Sequence, residues 1–541
     1  MISKPHLTAL WAAALLLAIL LAAANLFLGD LNQDEGWYLY AARMVAEGQL
    51  PYRDFAFTQA PLMPFVYSLA QPLVDRWGVG GGRLFTALLG LAAAAFAAAL
   101  AARLVDRSRK GAAAALAFVL IGVNVYHSYF STLVKTYSLS GLLLALGFLL
   151  LTLSDSRWRR GAAFLAGAVL GLAAGTRISA GVSLPVGLIF LWAERKTWPT
   201  LWVWFGLGAA AACGALFLPF LAAAPDGFWF GLVEYHTQRH AGPLAQSLAF
   251  KAGFVSRLAQ GYFLAAGMWV CVILARLLGL GSADSSPEGS ASSAVGRTSR
   301  ALWATAAGVT AIHITAPFPY DDYQVMVFPV FAAALAAAVV RLVPNARMMR
   351  WTLWSAALLA AAGSFSSPIN QDWFMQGRDR IWWRMKDQTP LQKLQRTARE
   401  IRALAAPGDR LLTQDAYLAV ETGLRLPRGL ELGPFSYYPD WSTEKATRRH
   451  VLNRPMLEAL LRSTDAPVAA LSGYSLTIRC PEVQEIGAAE QDKWRAVVEE
   501  RYTPKDVVRD FGQGYTTLRI LVRAPGRPAE RPQEAPASPA R

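Results

Sequence analysis

Residues 7–47 read LTALWAAALLLAILLAAANLFLGDLNQDEGWYLYAARMVAE, and this stretch decides the fold class. Its first 22 residues carry no charge and are almost entirely apolar, which is the length that a helix needs to cross a bilayer. An acidic, aromatic-rich segment follows at once and contains Asp34 and Glu35. The pattern therefore predicts a membrane-spanning helix that leaves the bilayer near residue 30.

Similar apolar runs recur up to residue 367, in a chain of 541 residues that is 54% hydrophobic and 16% charged. This composition excludes an ordinary soluble protein. We therefore expect an α-helical polytopic membrane protein with about eleven transmembrane helices. The predicted spans are 7–28, 82–102, 111–126, 137–153, 161–175, 178–193, 199–221, 258–275, 301–316, 324–340 and 351–367.

The last 174 residues have a different composition, because they hold 27 of the 52 Lys and Arg and 22 of the 37 Asp and Glu. Helical spacing over 390–405 and 455–462, with strand-like runs at 410–413, 467–472 and 515–522, predicts a small soluble α/β domain. The predicted divisions are a membrane domain, 1–367, with an amphipathic outer loop, 30–81; an α/β domain, 368–523; and a disordered tail, 524–541.

Basic residues are distributed unevenly between alternate connections. The richer set holds 16 basic residues in 61 positions, and the other set holds 8 in 109. Since cytoplasmic loops collect Lys and Arg, we expect a cytoplasmic N-terminus and an α/β domain outside the cell or in the periplasm. The net charge of +15 follows partly from these loops, so no nucleic-acid partner is expected. The richer set comprises 1–6, 103–110, 154–160, 194–198, 276–300 (with a flexible stretch at 281–296) and 341–350.

The first outer loop, 30–81, is rich in Trp, Tyr and Phe. Amphipathic stretches at 35–47 and 62–76 predict two helices that lie in the membrane interface, with aromatic rings at headgroup level. Asp34 opens the first of them. Two interpretations stay open for this residue: a carboxylate that caps the helix, and a general base at the membrane surface.

The string QDEGWYLYAARMVAEGQLPYRDFAFTQAPLMPFVYSLAQPL, 33–73, resembles the first outer loop of the C-type glycosyltransferases, which include protein O-mannosyltransferases and bacterial aminoarabinose transferases. Asp34 and Glu35 match the family's acidic pair, Ala42-Arg43 its Ala-Arg step, and Pro61-Leu62 its Pro-containing segment. GLAAGTRISAGVSLP, 171–185, and PFPYDDYQVMVFP, 317–329, are similar to two later family segments.

The resemblance implies a GT-C-like fold and inverting transfer of a sugar from a polyprenyl-phosphate-linked donor to an acceptor hydroxyl at the outer face of a bacterial inner membrane. The acceptor would be a glycan, a lipid or a protein. Such a reaction needs a carboxylate to take the acceptor proton and cations to bind the departing phosphate. Asp34 is the candidate base. The candidate substrate-binding residues are Glu35, Tyr38, Arg43, Gln59, Lys135, Arg177, Asp321, Asp322 and Tyr323.

Several of these residues have an ordinary alternative role. Lys135 and Arg177 adjoin span ends, where a lipid phosphate would sit, but they would equally extend to the interface as snorkelling side chains. Asp321 and Asp322 would form a solvated turn before the next span. Weaker candidates, which would otherwise be surface residues, are Glu234, His236 and His240.

No metal or other cofactor is expected. Family members with a bound metal carry charged residues just before the conserved Pro, whereas this chain has Thr58, Gln59 and Ala60 before Pro61. If a metal were required, Glu234, His236 and Asp322 would be the first ligands to examine.

Other functions are less well supported by the sequence. A G-x-x-x-x-G-K-[ST] run and a metal-binding Asp-x-Asp are absent, which argues against nucleotide hydrolysis and nucleotide-sugar transfer. A transporter or flippase for a lipid-linked glycan is the alternative. It is disfavoured because neither internal halves nor interrupted spans are visible in the sequence.

Overall fold

The computed structural model describes residues 4–153, 157–238, 243–280, 290–366 and 388–524. These residues are mostly helical, with a small sheet region near the C-terminus. The predicted domain boundary at 367, most of the predicted flexible stretch 281–296 and the predicted tail after 524 lie outside the described residues.

The N-terminal part is a bundle of helices joined by short connections. In chain order the helices are α1 (Lys4–Leu28), α2 (Gln33–Ala46), α3 (Leu62–Ser68), α4 (Gln71–Trp77), α5 (Val79–Arg103), α6 (Lys110–Gly122), α7 (Val125–Thr132), α8 (Tyr137–Leu151), α9 (Arg159–Thr176), α10 (Ser183–Ala193), α11 (Leu201–Ala223), α12 (Pro225–Trp229), α13 (Tyr235–Thr237), α14 (Leu244–Gly261), α15 (Phe263–Leu277), α16 (Ser290–Thr315), α17 (Phe328–Leu342) and α18 (Ala346–Ser366). Short 3₁₀ turns cover Ile178–Val182 and Asp321–Met326, and a π-helical turn covers Phe230–Glu234.

Each predicted span falls largely on helical residues, and the chain is an integral membrane protein. Among the described residues, α1, α5 and α11 can each cross a membrane alone by length and composition. The pairs α6/α7 and α14/α15, bent by 68° and 95°, raise the number within these residues to at most five. The full number of eleven therefore stays a prediction.

Two of the predicted spans are wrong in detail, because they run across a break between helices. The prediction at 111–126 passes the end of α6 at Gly122, and the prediction at 258–275 begins in α14 and ends in α15. The expectation that no span is interrupted was therefore also wrong. Such breaks are tolerated at membrane depth where the freed backbone groups are buried in protein or line a cavity.

The first aromatic residues of the outer loop are covered by protein. Trp37, Tyr38 and Tyr40 on α2 are only 5%, 4% and 6% exposed, because the C-terminal domain covers this helix. The second amphipathic stretch, 62–76, is not one helix but two, since α3 ends at Ser68 and α4 begins at Gln71. The position of these helices in the membrane interface stays a prediction.

The C-terminal part is a small α/β domain. Its helices are α19 (Pro390–Arg402), α20 (Ala416–Thr422), α21 (Thr443–Arg448), α22 (Arg454–Ser463) and α23 (Ala488–Glu499). Its strands are β1 (Leu411–Leu412), β2 (Val468–Leu471), β3 (Ile478–Arg479), β4 (Gln484–Glu485), β5 (Tyr502–Phe511) and β6 (Thr516–Arg523).

The main sheet has the order β1-β2-β6-β5, with β1 and β2 parallel and the remaining neighbours antiparallel. Strands β3 and β4 form a separate antiparallel pair. Helices and strands occur where the sequence predicted them, but α20, α21, α23, β3, β4 and the longest strand, β5, were missed. The sequence of β5, YTPKDVVRDF, is mostly solvent-exposed and lacks the apolar alternation that marks a half-buried strand.

Three hydrophobic cores lie in the described parts of the chain, and the third, which includes Leu461 and Trp494, lies within the C-terminal domain. The first lies between the membrane helices and is rich in alanine, as in the run Ala332–Ala338 of α17, because small side chains allow helix backbones to approach closely in a membrane. The second joins the outer loop to the C-terminal domain and includes Trp37, Tyr417 and Leu418. The C-terminal domain is thus packed directly on the helix that carries Asp34.

Candidate functional site

The first turn of α2 is a capping box. The Asn32 side chain accepts a hydrogen bond from the Asp34 N–H at 3.0 Å, and the Glu35 carboxylate accepts one from the Asn32 N–H at 3.1 Å. These contacts satisfy backbone donors that a helix start leaves free. Because Asn32 and Glu35 do the capping, the Asp34 side chain does not have to, and it points to other partners.

Glu35 is fully buried and pairs with Arg83. Its two carboxylate oxygens lie 2.7 and 2.6 Å from the Arg83 guanidinium, and both side chains are 0% exposed. Arg83 also donates to the backbone carbonyls of Gly29 and Asp30. This position favours a structural role over the substrate-binding role predicted for Glu35. The sequence did offer a signal for Arg83, which is a charged residue at the start of an apolar run.

Asp34 forms the centre of the candidate site together with Lys135 and Asp322. The Lys135 Nζ lies 3.1 Å from Asp34 Oδ2 and 2.9 Å from Asp322 Oδ2. The Trp37 indole N–H donates to Asp34 Oδ1 at 3.1 Å, and the Tyr137 hydroxyl donates to Asp322 Oδ2 at 3.0 Å. Residues from three distant stretches of the chain therefore meet around one ammonium group.

The three side chains of this cluster differ in how far they reach solvent. The Asp34 side chain is 31% exposed, whereas those of Lys135 and Asp322 are 8% and 12% exposed. Asp34 is therefore the member that an incoming molecule reaches. The buried lysine holds its charge between two carboxylates, which orients Asp34 without covering it.

Arg177 lies beside this cluster and stacks on an aromatic ring. Its guanidinium carbon is 4.2 Å from the centre of the Tyr323 ring and 5.2 Å from that of Tyr137, and it donates to the Thr136 hydroxyl at 3.2 Å. Within the described parts of the chain, no carboxylate comes within ion-pair distance of Arg177, which is half-buried. Its charge is thus available to an anionic ligand.

Tyr38 and Asp321 lie near the same cluster. Tyr38 is within electrostatic range of Asp34, Lys135 and Arg177. Asp321 forms an ion pair with Arg257, whose Nε lies 2.7 Å from Asp321 Oδ1, whereas its neighbour Asp322 pairs with Lys135. The consecutive aspartates are both buried and paired, so they do not form the solvated turn that was the alternative interpretation.

Other predicted residues lie in different surroundings. Arg43 donates to the backbone carbonyls of Leu424 and Gly423 in the C-terminal domain, so it binds that domain. The backbone carbonyl of Gln59 accepts a hydrogen bond from the Tyr52 hydroxyl. Glu234 is paired with Lys445 at 2.8 Å and Arg449 at 3.0 Å, which lower the pKa of its carboxyl against the opposing effect of burial.

The residues named as possible metal ligands make different contacts. The His236 ring contacts the Thr58 carbonyl oxygen at 3.0 Å, Glu234 pairs with Lys445 and Arg449, and Asp322 pairs with Lys135. His240 lies outside the described residues. Among the residues that the structure describes, no three His, Cys, Asp or Glu side chains converge on a point where a metal could bind. That no metal is required remains a prediction.

Comparison with known proteins gives structural similarity without sequence similarity. Neither a protein-family model nor a curated protein sequence matches the chain. The structure of ArnT from Cupriavidus metallidurans bound to undecaprenyl phosphate superposes with a TM-score of 0.60 at 13% identity, over 97% of this chain and 99% of that chain.

The apo oligosaccharyltransferase from Archaeoglobus fulgidus superposes with a TM-score of 0.51 at 10% identity, covering 97% of this chain and 75% of that chain. Archaeal AglB from the same organism, in complex with an inhibitory peptide and a dolichol-phosphate, gives 0.50 at 11% identity, covering 87% and 69%. ArnT and AglB are both GT-C glycosyltransferases. The chain therefore has the fold of the C-type glycosyltransferases.

Proposed function

We propose that the protein transfers a sugar from a polyprenyl-phosphate-linked donor to an acceptor hydroxyl at the outer face of a membrane, with inversion at the anomeric carbon. The observation that carries the proposal is the partly exposed Asp34 carboxylate, held by Lys135 beside Arg177, which has no carboxylate partner among the described residues. ArnT bound to undecaprenyl phosphate and AglB in complex with a dolichol-phosphate share the fold. Their lipid phosphates support the class of donor proposed here.

In the proposed reaction Asp34 is the general base. Lys135 on Oδ2 and the Trp37 indole on Oδ1 fix the carboxylate, so that a lone pair faces the acceptor hydroxyl. The acceptor oxygen forms a bond to the anomeric carbon as the bond from that carbon to the phosphate oxygen breaks. The acceptor proton moves to Asp34, and the electron pair of the broken bond leaves with the polyprenyl phosphate.

Arg177 stabilises the phosphate that leaves. A guanidinium can hold two phosphate oxygens and stays charged at any relevant pH. Stacking on Tyr323 and the hydrogen bond to Thr136 hold its plane in place before the donor arrives. The contact between Arg177 and the phosphate strengthens as negative charge develops on the phosphate, and this lowers the activation barrier of the transfer. A contact equally strong in the bound donor and in the transition state would not lower it.

The lipid-linked donor explains why the site lies where apolar helices meet a polar domain. A polyprenyl chain supplies its own anchor among the membrane helices, and the acceptor reaches Asp34 from the aqueous side. We place the protein in a bacterial inner membrane with its N-terminus in the cytoplasm. The acceptor is a glycan, a lipid or a protein with a free hydroxyl.

A transporter or flippase for a lipid-linked glycan is the second candidate, and the interrupted pairs α6/α7 and α14/α15 favour it. Against it, Asp34 and Asp322 converge on the Lys135 ammonium, next to the helix that the C-terminal domain covers. A carrier also has no need of a fixed base.

The test is a transfer assay with the purified protein in nanodiscs. Polyprenyl-phosphate sugars that differ in the sugar are each mixed with glycolipid acceptors, and free polyprenyl phosphate is measured. We expect release with at least one donor, and only when an acceptor is present. If no donor is consumed, and the sugar-lipid crosses the bilayer of proteoliposomes, the result contradicts a transferase and supports a flippase.

A further inference from the structure

The C-terminal domain contacts α2 and the residues before it through the segment 415–426 and through Gln513 and Tyr515. Helix α20 of this segment lies so close to α2 that a side-chain carbon added to Gly36 would stand 2.2 Å from the Tyr417 backbone nitrogen. The Leu426 N–H donates to the Tyr40 hydroxyl at 2.9 Å. The two backbones are therefore in direct contact, and position 36 admits only glycine in this arrangement.

Asp415 makes the most unusual contact in this interface. Its carboxylate is fully buried and accepts hydrogen bonds from the Gln33 amide at 2.7 Å and the Tyr417 hydroxyl at 2.9 Å. The Ser472 and Ser475 hydroxyls donate to it at 3.0 and 3.2 Å. Burial raises the pKa of the Asp415 carboxyl, and the hydrogen bonds from Gln33, Ser472 and Tyr417 act in the opposite direction.

Further hydrogen bonds fix the residues around Asp34 from the same side. The Gln33 N–H donates to the Gln513 side chain at 2.8 Å, and the Tyr515 hydroxyl donates to Asp30 at 2.6 Å. Gln33 precedes Asp34 directly, so its backbone and side chain are both held by the C-terminal domain. On the other side, Glu35 is held by Arg83 of the membrane part.

We infer that the C-terminal domain is part of the catalytic apparatus: through Asp415 and Gln513 it positions Gln33, and with it the neighbouring Asp34 carboxylate. The inference rests on the proposed function. It makes Asp415 a positioning residue that touches no substrate. A base displaced by about 1 Å loses on the order of 100-fold in rate, so a rigid support on both flanks of Asp34 matters for turnover.

The chemistry of the contact favours positioning over simple adhesion. Apolar side chains of similar size would join two surfaces at lower cost than a buried carboxylate, which must be desolvated. A carboxylate that accepts four hydrogen bonds instead fixes the direction of each donor group. Of these four donors, Gln33 is the one that belongs to the membrane part. The network thus specifies one placement of the α2 start.

The experiment uses the full-length protein with Asp415→Asn, and with Gln513→Ala as a milder change at a half-buried surface turn. The matched control is Asp465→Asn, which breaks the exposed ion pair with Arg410 in the same domain. Hydrogen exchange of the amides of residues 33–38 is measured beside kcat and KM for the transfer. We expect faster exchange and a kcat lowered by about tenfold to 100-fold in both test variants, with KM for the donor nearly unchanged.

Each result decides something different. Unchanged amide exchange in Gln513→Ala, and in Asp415→Asn if it folds, would show that the domain does not hold α2. Faster exchange with a normal kcat would show that α2 is held for stability and that Asp34 needs no such support. If the wild-type protein transfers no sugar, the proposed function fails, whereas the exchange data still decide whether the C-terminal domain holds α2.

Discussion

The Lys135 ammonium lies between the carboxylates of Asp34 and Asp322, 3.1 Å from the first and 2.9 Å from the second. One buried cation thus links the first outer loop to the loop before α17. Only Asp34 of the three extends well into solvent. This geometry distinguishes a reactive carboxylate from a structural one and determines what substitutions should do.

Asp34→Asn should lower transfer by roughly 100-fold to 10,000-fold, because the amide cannot take the acceptor proton. Folding should persist, since Asn32 and Glu35 cap the helix and Asp34 does not. Steady-state rates and melting temperature are measured together. Asp75→Asn, an exposed position in the same outer loop, is the control. Near-normal turnover of Asp34→Asn would remove this residue as the base.

Glu35→Gln should act on stability. The substitution leaves the buried Arg83 guanidinium without its counter-charge, and removing one partner of a buried pair costs about 3–5 kcal/mol. We expect a clearly lower melting temperature in nanodiscs, with the rate per folded molecule changing far less than in Asp34→Asn. A normal melting temperature with a large fall in rate would instead give Glu35 a part in the chemistry.

Arg177→Ala should weaken use of the lipid donor strongly, and Arg177→Lys should restore it only in part, because an ammonium lacks the planar fork that holds two phosphate oxygens. Arg76→Ala, an exposed arginine of the outer loop, should have little effect. EDTA should leave the rate unchanged. Loss of activity with EDTA that zinc or magnesium restores would contradict the metal-free mechanism.

Glu431 should make stability depend on pH. Burial raises the pKa of this carboxyl to about 7, although the Gly429 N–H donates to it. Because the pKa is raised in the folded state, the folded protein binds this proton more tightly than the unfolded chain does. The free energy of unfolding therefore falls as pH rises from about 4.5 to 7. Glu431→Gln should therefore be more stable than the wild type at pH 8, by about 3 kcal/mol at most, and similar at pH 4.5. Melting curves across pH test this, with the exposed Glu499→Gln as control.

The orientation proposed for the membrane can be tested with single cysteines. One placed within 281–296 should resist a membrane-impermeant thiol reagent in intact cells whose outer membrane has been permeabilised, and one at 530 should react. The opposite pattern would put the C-terminal domain in the cytoplasm and exclude an outward-facing site.

The sequence predicted the class of fold because apolar runs and loop charges are local properties. It also singled out Asp34, Lys135, Arg177, Asp322 and Tyr323, which the structure places around one another. The sequence could not show which of the two neighbouring carboxylates is buried. Glu35 is the one that pairs with Arg83, and Arg83 lies 48 positions away in the chain. The contacts of Arg43 with Gly423 and of Asp415 with Gln33 likewise join residues at least 380 positions apart.

The helix breaks were missed for a related reason. The mean hydropathy stays high across 111–126 and 258–275, so it reports a continuous span even though the backbone bends at Asn124 and at Tyr262. The bend exposes backbone groups that distant side chains satisfy, as when the Asn124 side chain donates to the Gly261 carbonyl at 2.9 Å. A hydrogen bond between residues so far apart in the chain leaves no local pattern in the sequence.

The most direct test follows the sugar itself. A polyprenyl-phosphate sugar labelled with ¹³C at its anomeric carbon is supplied with an acceptor to the protein in nanodiscs, and NMR records the anomeric signal. The account predicts that the label moves to the acceptor oxygen with inverted configuration, that one polyprenyl phosphate is released for each sugar transferred, and that Asp34→Asn slows both by roughly 100-fold to 10,000-fold. A label that stays on phosphate, or that arrives with retained configuration, would contradict it.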